Sequence, residues 1–219
     1  MKSRSIYSMF NTISTFRLLF CKVMAVLMMS IVFYGCSVKS FDDEIALLEY
    51  VNDDANGYTL RKSINGIDYT LTYRPTDILV NQELKSTDSV DINRLRDKYS
   101  KYLYFNLSMS KNNKDLLSAI PKNRNEFGAM ANELLFGMKN KVHLITNKND
   151  TIEMIDYNYP RMYGMSKATT MMFIYPRDPQ YINEDYLSFT VEDLGLHTGE
   201  VNFMIMTNKI KNEPTLSFK

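Results

Sequence analysis

Tyr58-Thr59-Leu60-Arg61-Lys62-Ser63-Ile64-Asn65-Gly66-Ile67-Asp68-Tyr69-Thr70-Leu71-Thr72-Tyr73 is the stretch that decides the fold class. Asn65-Gly66 is a favoured two-residue turn for a β-hairpin. Counting outward from it pairs Ile64 with Ile67, Leu60 with Leu71 and Tyr58 with Tyr73. All of these share one face, and Thr70, Thr72 and Arg74 share the other. A slip of one residue would put the apolar set in water, so turn chemistry and register agree on a two-stranded antiparallel unit.

Arg74-Pro75 closes the second strand. Thr76 to Leu84 then reads as a short helix with Thr76 as its cap and Ile78, Leu79 and Leu84 inward. A polar loop from Lys85 to Ser89 precedes a second small helix carrying Ile92, Leu95 and Tyr99 at helical spacing. Leu103, Phe105, Leu107 and Met109 alternate with Tyr104, Asn106 and Ser108, the pattern of a half-buried strand. Arg124 to Phe136 predicts the most regular helix of the second half. Phe127, Met130, Ala131 and Leu134 face the core in this reading, and Gly137 stands at the C′ stop.

Beyond it the chain is strand-rich. Val142 to Thr146 and Thr151 to Tyr157 flank the turn Asn147-Lys148-Asn149-Asp150, and Thr169 to Tyr175 is a continuous apolar run suited to a central strand. Pro176 and Pro179 bracket a loop. Leu187, Phe189 and Val191 alternate, as do Val201, Phe203 and Ile205, and a last short strand holds Leu216 and Phe218. Before the hairpin, Ser40 caps a helix with Asp42, Asp43 and Glu44 in its first turn, where the helix dipole favours negative charge. Phe41, Ile45 and Leu48 form its apolar stripe, with Leu47 and Val51 beside them. The expected architecture is α+β: a mostly antiparallel β-sheet with three to four helices packed on one side.

The first 35 residues have a different character. Lys2, Arg4, Arg17 and Lys22 are basic, no acid occurs before Asp42, and Val23 to Tyr34 is an apolar run. A run of this length suits the core of a secretory signal and falls short of the roughly 20 residues of a bilayer span. It ends in Phe33-Tyr34-Gly35-Cys36, which resembles the lipobox of bacterial lipoproteins, with a Bacteroidota-like cast. Phe33 stands where Leu is commoner, and Tyr34 is bulky for its place.

The resemblance implies a diacylglycerol on the Cys36 thiol and cleavage before it. The signal peptide is then 1–35, residues 36–40 are the lipidated Cys and a short tether, and 41–219 are a single globular domain. It also implies attachment to the cell envelope, with the outer membrane as the expected address. Some surface-displayed lipoproteins of this kind carry acids soon after the lipidated Cys. Asp42-Asp43-Glu44 is open to that reading as well as to the helix-start one.

Charge and cysteine counts fit a discarded leader. Of 26 Lys and Arg, four lie before Cys36, which leaves 22 against 25 Asp and Glu and a charge of −3. Such a balance gives no electrostatic case for nucleic acid or for an anionic membrane surface. The 2 Cys are Cys21 and Cys36, so no thiol of the domain itself serves as nucleophile, disulfide or metal ligand. With 183 residues after Cys36, the domain is large enough to bury its own core.

Chemistry-bearing motifs are scarce. No G-x-G-x-x-G, Walker A, H-E-x-x-H, G-x-S-x-G or EF-hand pattern occurs, and nothing marks a metal or cofactor site. His143 lies in a strand and His197 in the loop Gly195 to Glu200. Ser108-Met109-Ser110-Lys111 matches S-x-x-K, but on a strand rather than a helix. Asp150, Glu153 and Asp156 are the acids a glycosidase-type pair would draw on. With 15 Tyr and no Trp, the cluster Tyr157, Tyr159, Arg161 and Tyr163, with Tyr175 nearby, offers amphipathic surface for a sugar or protein ligand. The expectation is a non-enzymatic envelope lipoprotein acting as an interaction or assembly module, with the membrane and an envelope protein as partners. The alternatives are a glycan or extracellular-ligand binder, and a hydrolase without a recognisable motif.

Overall fold

In the computed structural model, which describes residues 38–86, 91–160 and 166–218, Asn65 and Gly66 take φ of 51° and 73°. That is the left-handed pair a two-residue hairpin turn requires. It joins β2 (Thr59–Ile64) to β3 (Ile67–Tyr73) in the expected register, Ile64 opposite Ile67 and Leu60 opposite Leu71. The Tyr73 N–H donates to the Tyr58 carbonyl at 2.9 Å. Ile67, Tyr69, Leu71 and Tyr73 are all buried. Residues 1–37, with the expected signal and Cys36, lie outside the described residues, as do positions 87–89 of the expected polar loop.

The chain enters through β1 (Ser40–Phe41) and α1 (Glu44–Asn52). Asp43, not Ser40, caps α1: its carboxylate accepts from the Ala46 N–H at 2.9 Å, while Ser40 is drawn into a strand. Leu47 and Val51 are the buried pair of α1, and Ile45 is 70% exposed, so the stripe lies one position round from the one read at Phe41, Ile45 and Leu48. After the hairpin come α2 (Thr76–Ser86), α3 (Ile92–Tyr99) and β4 (Tyr102–Lys111). Then follow α4 (Leu116–Ala119), α5 (Arg124–Asn132), β5 (Val142–Thr146), β6 (Thr151–Ile152), β7 (Asp156–Asn158) and β8 (Thr169–Pro176). The chain ends with α6 (Pro179–Ile182), β9 (Tyr186–Val191), β10 (Val201–Met206), α7 (Thr207–Lys211) and β11 (Thr215–Leu216).

This is an α+β fold whose antiparallel strands are divided between two sheets, ordered β2-β3-β4-β8-β7 and β10-β9-β5-β6. The division happens where the sequence reads one strand, Thr151 to Tyr157. Ile152 pairs with Leu144 in one sheet, and Asp156 pairs with Ile174 in the other. The two inner faces meet through rings: the Phe189 centroid is 5.6 Å from Phe105, 5.7 Å from Phe173 and 6.4 Å from Tyr175. Opposed tilted and edge-on rings of this kind pack closely and gain beyond their area.

The outer face of the larger sheet carries Thr70, Thr72, Asn106, Ser108 and Thr170, all half-buried. Helix α1 is tied to the hairpin by the Thr59 hydroxyl, which donates to the Val51 carbonyl at 2.8 Å. The last strand is parallel to the first, Ser40 opposite Thr215 and Phe41 opposite Leu216. The described residues from Val38 onward form one compact unit.

Candidate functional site

Helix α5 begins with a reciprocal cap. The Asn123 carbonyl oxygen Oδ1 accepts from the N–H groups of Asn125 and Glu126, both at 3.0 Å. Glu126 reaches back to accept from the Lys122 N–H at 2.8 Å and from Asn123 Nδ2 at 2.7 Å. This satisfies the orphan donors of the first turn. At its other end the helix widens into a π-turn, Glu133–Gly137. Gly137 is no left-handed stop, since its φ is −92°. A Cβ there would lie 2.5 Å from Glu133 Oε1, whose flexible side chain folds over the glycine and would have to swing aside.

Within α5 itself no side chain is buried; Leu134 and Met138, just beyond it, hold the core contact. Phe127 is 40% exposed and Phe136 69% exposed, against the inward placing expected for Phe127. The added residue of the π-turn rotates the following segment, so one regular stripe cannot be buried along the whole run.

Between α5 and the loop 193–195 lies a groove of about 490 Å³. Its apolar wall comprises Ile120, Pro121, Ala129, Met130 and Leu194, and its charged rim Glu126, Glu133, Asp193 and Lys141. Lys141 is answered within the protein: its ammonium lies 3.0 Å from Glu192, whose other oxygen is 3.2 Å from His143 Nε2. The hydrogen bond to Glu192 and then its charge hold the Lys141 pKa above the ordinary ammonium value. The same contacts, Lys141 before His143, hold Glu192 below the usual carboxylate range. Asp193 accepts from the Leu196 N–H at 2.7 Å and shapes the loop. With Lys141 neutralised by Glu192, the rim keeps an excess of acid, and the groove suits an apolar side chain accompanied by a cation.

The residues singled out by the sequence fall elsewhere. The Tyr157 ring is half-buried and stacked on Phe173 at 5.8 Å, with burial raising its pKa. Tyr159 is half-buried and borders a hollow of about 40 Å³ with Asp115 and Ser166. Arg161 and Tyr163 lie outside the described residues. Tyr175 is fully buried between the sheets, because a central strand in a two-sheet core turns its odd residues inward. His197 is exposed in a left-handed turn, φ 57°, where its carbonyl accepts a hydrogen bond from Asn65 Nδ2. It is not part of the groove.

Ser108 shares a 2.7 Å hydrogen bond with Thr170 across the sheet. Lys111, three residues along the same strand, points to the opposite face. Asp150 and Asp156 are exposed, and Glu153 pairs with Lys139 at 3.4 Å. Among the described residues no group of three or more His, Cys, Asp or Glu is placed to hold a metal, and no helix is long and apolar enough to cross a membrane. The sequence reading passed over the groove, although Glu126, Ala129, Met130 and Glu133 stand at i, i+3, i+4 and i+7 on one helix face.

No protein-family model matches the chain, and no curated protein is similar to it. Two solved structures are partly alike. One is a novel protein of unknown function from Burkholderia pseudomallei K96243, 12% identical, with a TM-score of 0.38 over 75% of this chain and 83% of that one. Another is a DUF4426 family protein from Pseudomonas aeruginosa PAO1, 11% identical, with a TM-score of 0.34 over 68% of this chain and 95% of that one. Likenesses this loose carry no argument about function.

Proposed function

We propose that the protein is a lipid-anchored cell-envelope lipoprotein, held to the outer membrane through Cys36, that acts as a non-enzymatic interaction or assembly module. The observation that carries the interaction half is α5: a helix with no buried side chain, an exposed phenylalanine within it and another just beyond it, and an acid-rimmed apolar groove alongside. Exposed aromatic surface beside a groove marks interaction sites, and a few aromatic anchors commonly carry most of the binding energy. The rim acids Glu126, Glu133 and Asp193 give the same face a negative bias, Glu126 and Asp193 while also shaping the helix start and the loop. The partner that fits is an envelope protein offering an apolar side chain next to a Lys or Arg. The glycan-binding alternative leans on Tyr157–Tyr163, where the Tyr157 ring is already taken up by Phe173.

Mild crosslinking of the full chain in its own membranes, followed by affinity capture, tests this. Wild type should recover a defined partner, and the double substitution Phe127→Ser, Phe136→Ser should lose it without loss of folded protein. Recovery of the same proteins by both forms, or of membrane bystanders alone, counts against the docking surface.

A further inference from the structure

Strand β10, Val201-Asn202-Phe203-Met204-Ile205-Met206, is the outer strand of its sheet. It pairs with β9 on one side and, among the described residues, with no strand on the other. Ladder parity decides where its backbone groups point, because alternate residues of an antiparallel strand bond to opposite neighbours. Thr207 N–H donates to the Asp185 carbonyl at 3.1 Å, in step with the pairs Ile205–Leu187, Phe203–Phe189 and Val201–Val191. Glu192 N–H donates to the Lys141 carbonyl at 2.8 Å, so the even residues of β9 serve β5 instead.

The odd residues of β10 therefore face β9, and Asn202, Met204 and Met206 aim their N–H groups away from the sheet. Asn202 and Met204 aim their carbonyls the same way; the Met206 carbonyl starts α7. The side chains of Met204 and Met206 are 57% and 44% exposed on the outer face.

Free edges invite strand addition, and proteins blunt them with charge, proline, bulges or brevity. The other edges of the two large sheets are protected in this way. β2 carries Arg61 and Lys62, and Lys62 turns inward with its ammonium 5.5 Å from the centre of the Phe203 ring. β7 has three residues, one of them Asp156, and β6 has two. β10 has six residues, with no charge, no proline and no bulge in its pairing with β9.

We propose that this edge is a self-association site, where β10 of a second copy pairs antiparallel about a two-fold axis near Met204. The strand is self-complementary: both copies offer the same outward donors and acceptors, and no like charges meet along it. An isologous contact of this kind closes on itself and joins two four-stranded sheets into one of eight strands. It is separate from the α5 groove and does not rest on that surface having a partner.

The test uses the full chain in its membrane with a benzophenone amino acid at position 204, co-expressed in two differently tagged copies. Illumination should give an adduct of two chains carrying both tags, mapped by mass spectrometry to residues 201–206 of the other copy. Moving the photoprobe to position 202 and introducing Met204→Lys, an exposed change that leaves the core intact, should abolish it. Absence of a two-chain adduct, attachment elsewhere on the second copy, capture of a different protein at this position, or an adduct insensitive to Met204→Lys would each overturn the proposal.

Discussion

Asp77, the second residue of α2, is 3% exposed. It accepts from Arg96 Nε and Nη2, both at 2.7 Å, and from the Leu216 N–H at 2.8 Å, while Arg96 Nη2 also donates to the Leu216 carbonyl at 2.9 Å. One ion pair thus holds both polar groups of a β11 residue. A second acid, the half-buried Glu213, accepts from the Tyr73 hydroxyl, the Thr76 N–H and hydroxyl, and Arg177, at 2.6–3.0 Å. Together they fasten the chain's last segment to the start of α2, whose first residues would otherwise leave orphan donors.

Breaking a buried pair from one side leaves an unanswered charge. Asp77→Ala should therefore cost about 2–4 kcal/mol, toward the lower part of the range for buried pairs because the Arg96 side chain keeps 39% exposure. A urea midpoint close to wild type would show that the pair contributes little. Neither acid was visible as special in the sequence, because nothing local marks a carboxylate whose partners lie from 19 to 140 positions away.

At the scale of elements, the hairpin was legible because everything that determines it is local: a turn that accepts two left-handed residues, and alternation on both sides of it. Strand β4 and strands β9 and β10 were legible by alternation alone, though not the pairing of β9 with β10. The failures share a cause too. Thr151 to Tyr157 reads as one strand by composition, yet its two ends find partners in different sheets, and pairing is a long-range matter. The Arg124 to Phe136 pattern predicts a helix buried along one face. The π-turn at Glu133–Gly137 breaks the period, so Leu134 reaches the core while Phe127 and Phe136 do not. The groove face, Glu126 to Glu133, mixes acids with Ala and Met, and a reading tuned to apolar periodicity does not single out such a mixture. Edge β10 was recognised as a strand, but its place at the rim of a sheet follows only from topology.

At the scale of the molecule, five of the described tyrosines are buried and four more pack against the core. Eight rings run in contact from Phe41 through Tyr50, Tyr58, Tyr73, Phe105, Phe189 and Phe173 to Tyr157, with neighbouring centroids 5.1–6.4 Å apart. Burial first, then the Glu213 charge, pushes the Tyr73 phenol well above its ordinary value, and burial does the same to Tyr104 and Tyr175. A raised folded-state pKa means that these neutral phenols contribute stability in full below the unfolded value of about 10, and lose it as pH rises through that value toward the folded one. An ultraviolet titration should show a fraction of the tyrosines ionising only together with alkaline unfolding. A single reversible wave near the ordinary phenol value, with the fold intact throughout, would contradict that burial.

The functional reading depends on address as much as on surface, since the α5 face and the β10 edge act in the envelope only if the chain is anchored there. Metabolic labelling with an alkyne fatty acid, comparing wild type with Cys36→Ala, tests this most directly. Wild type should take the label and stay at the membrane, and Cys36→Ala should lose both. Unlabelled wild type, or a Cys36→Ala chain retained at the membrane as before, would contradict that anchoring.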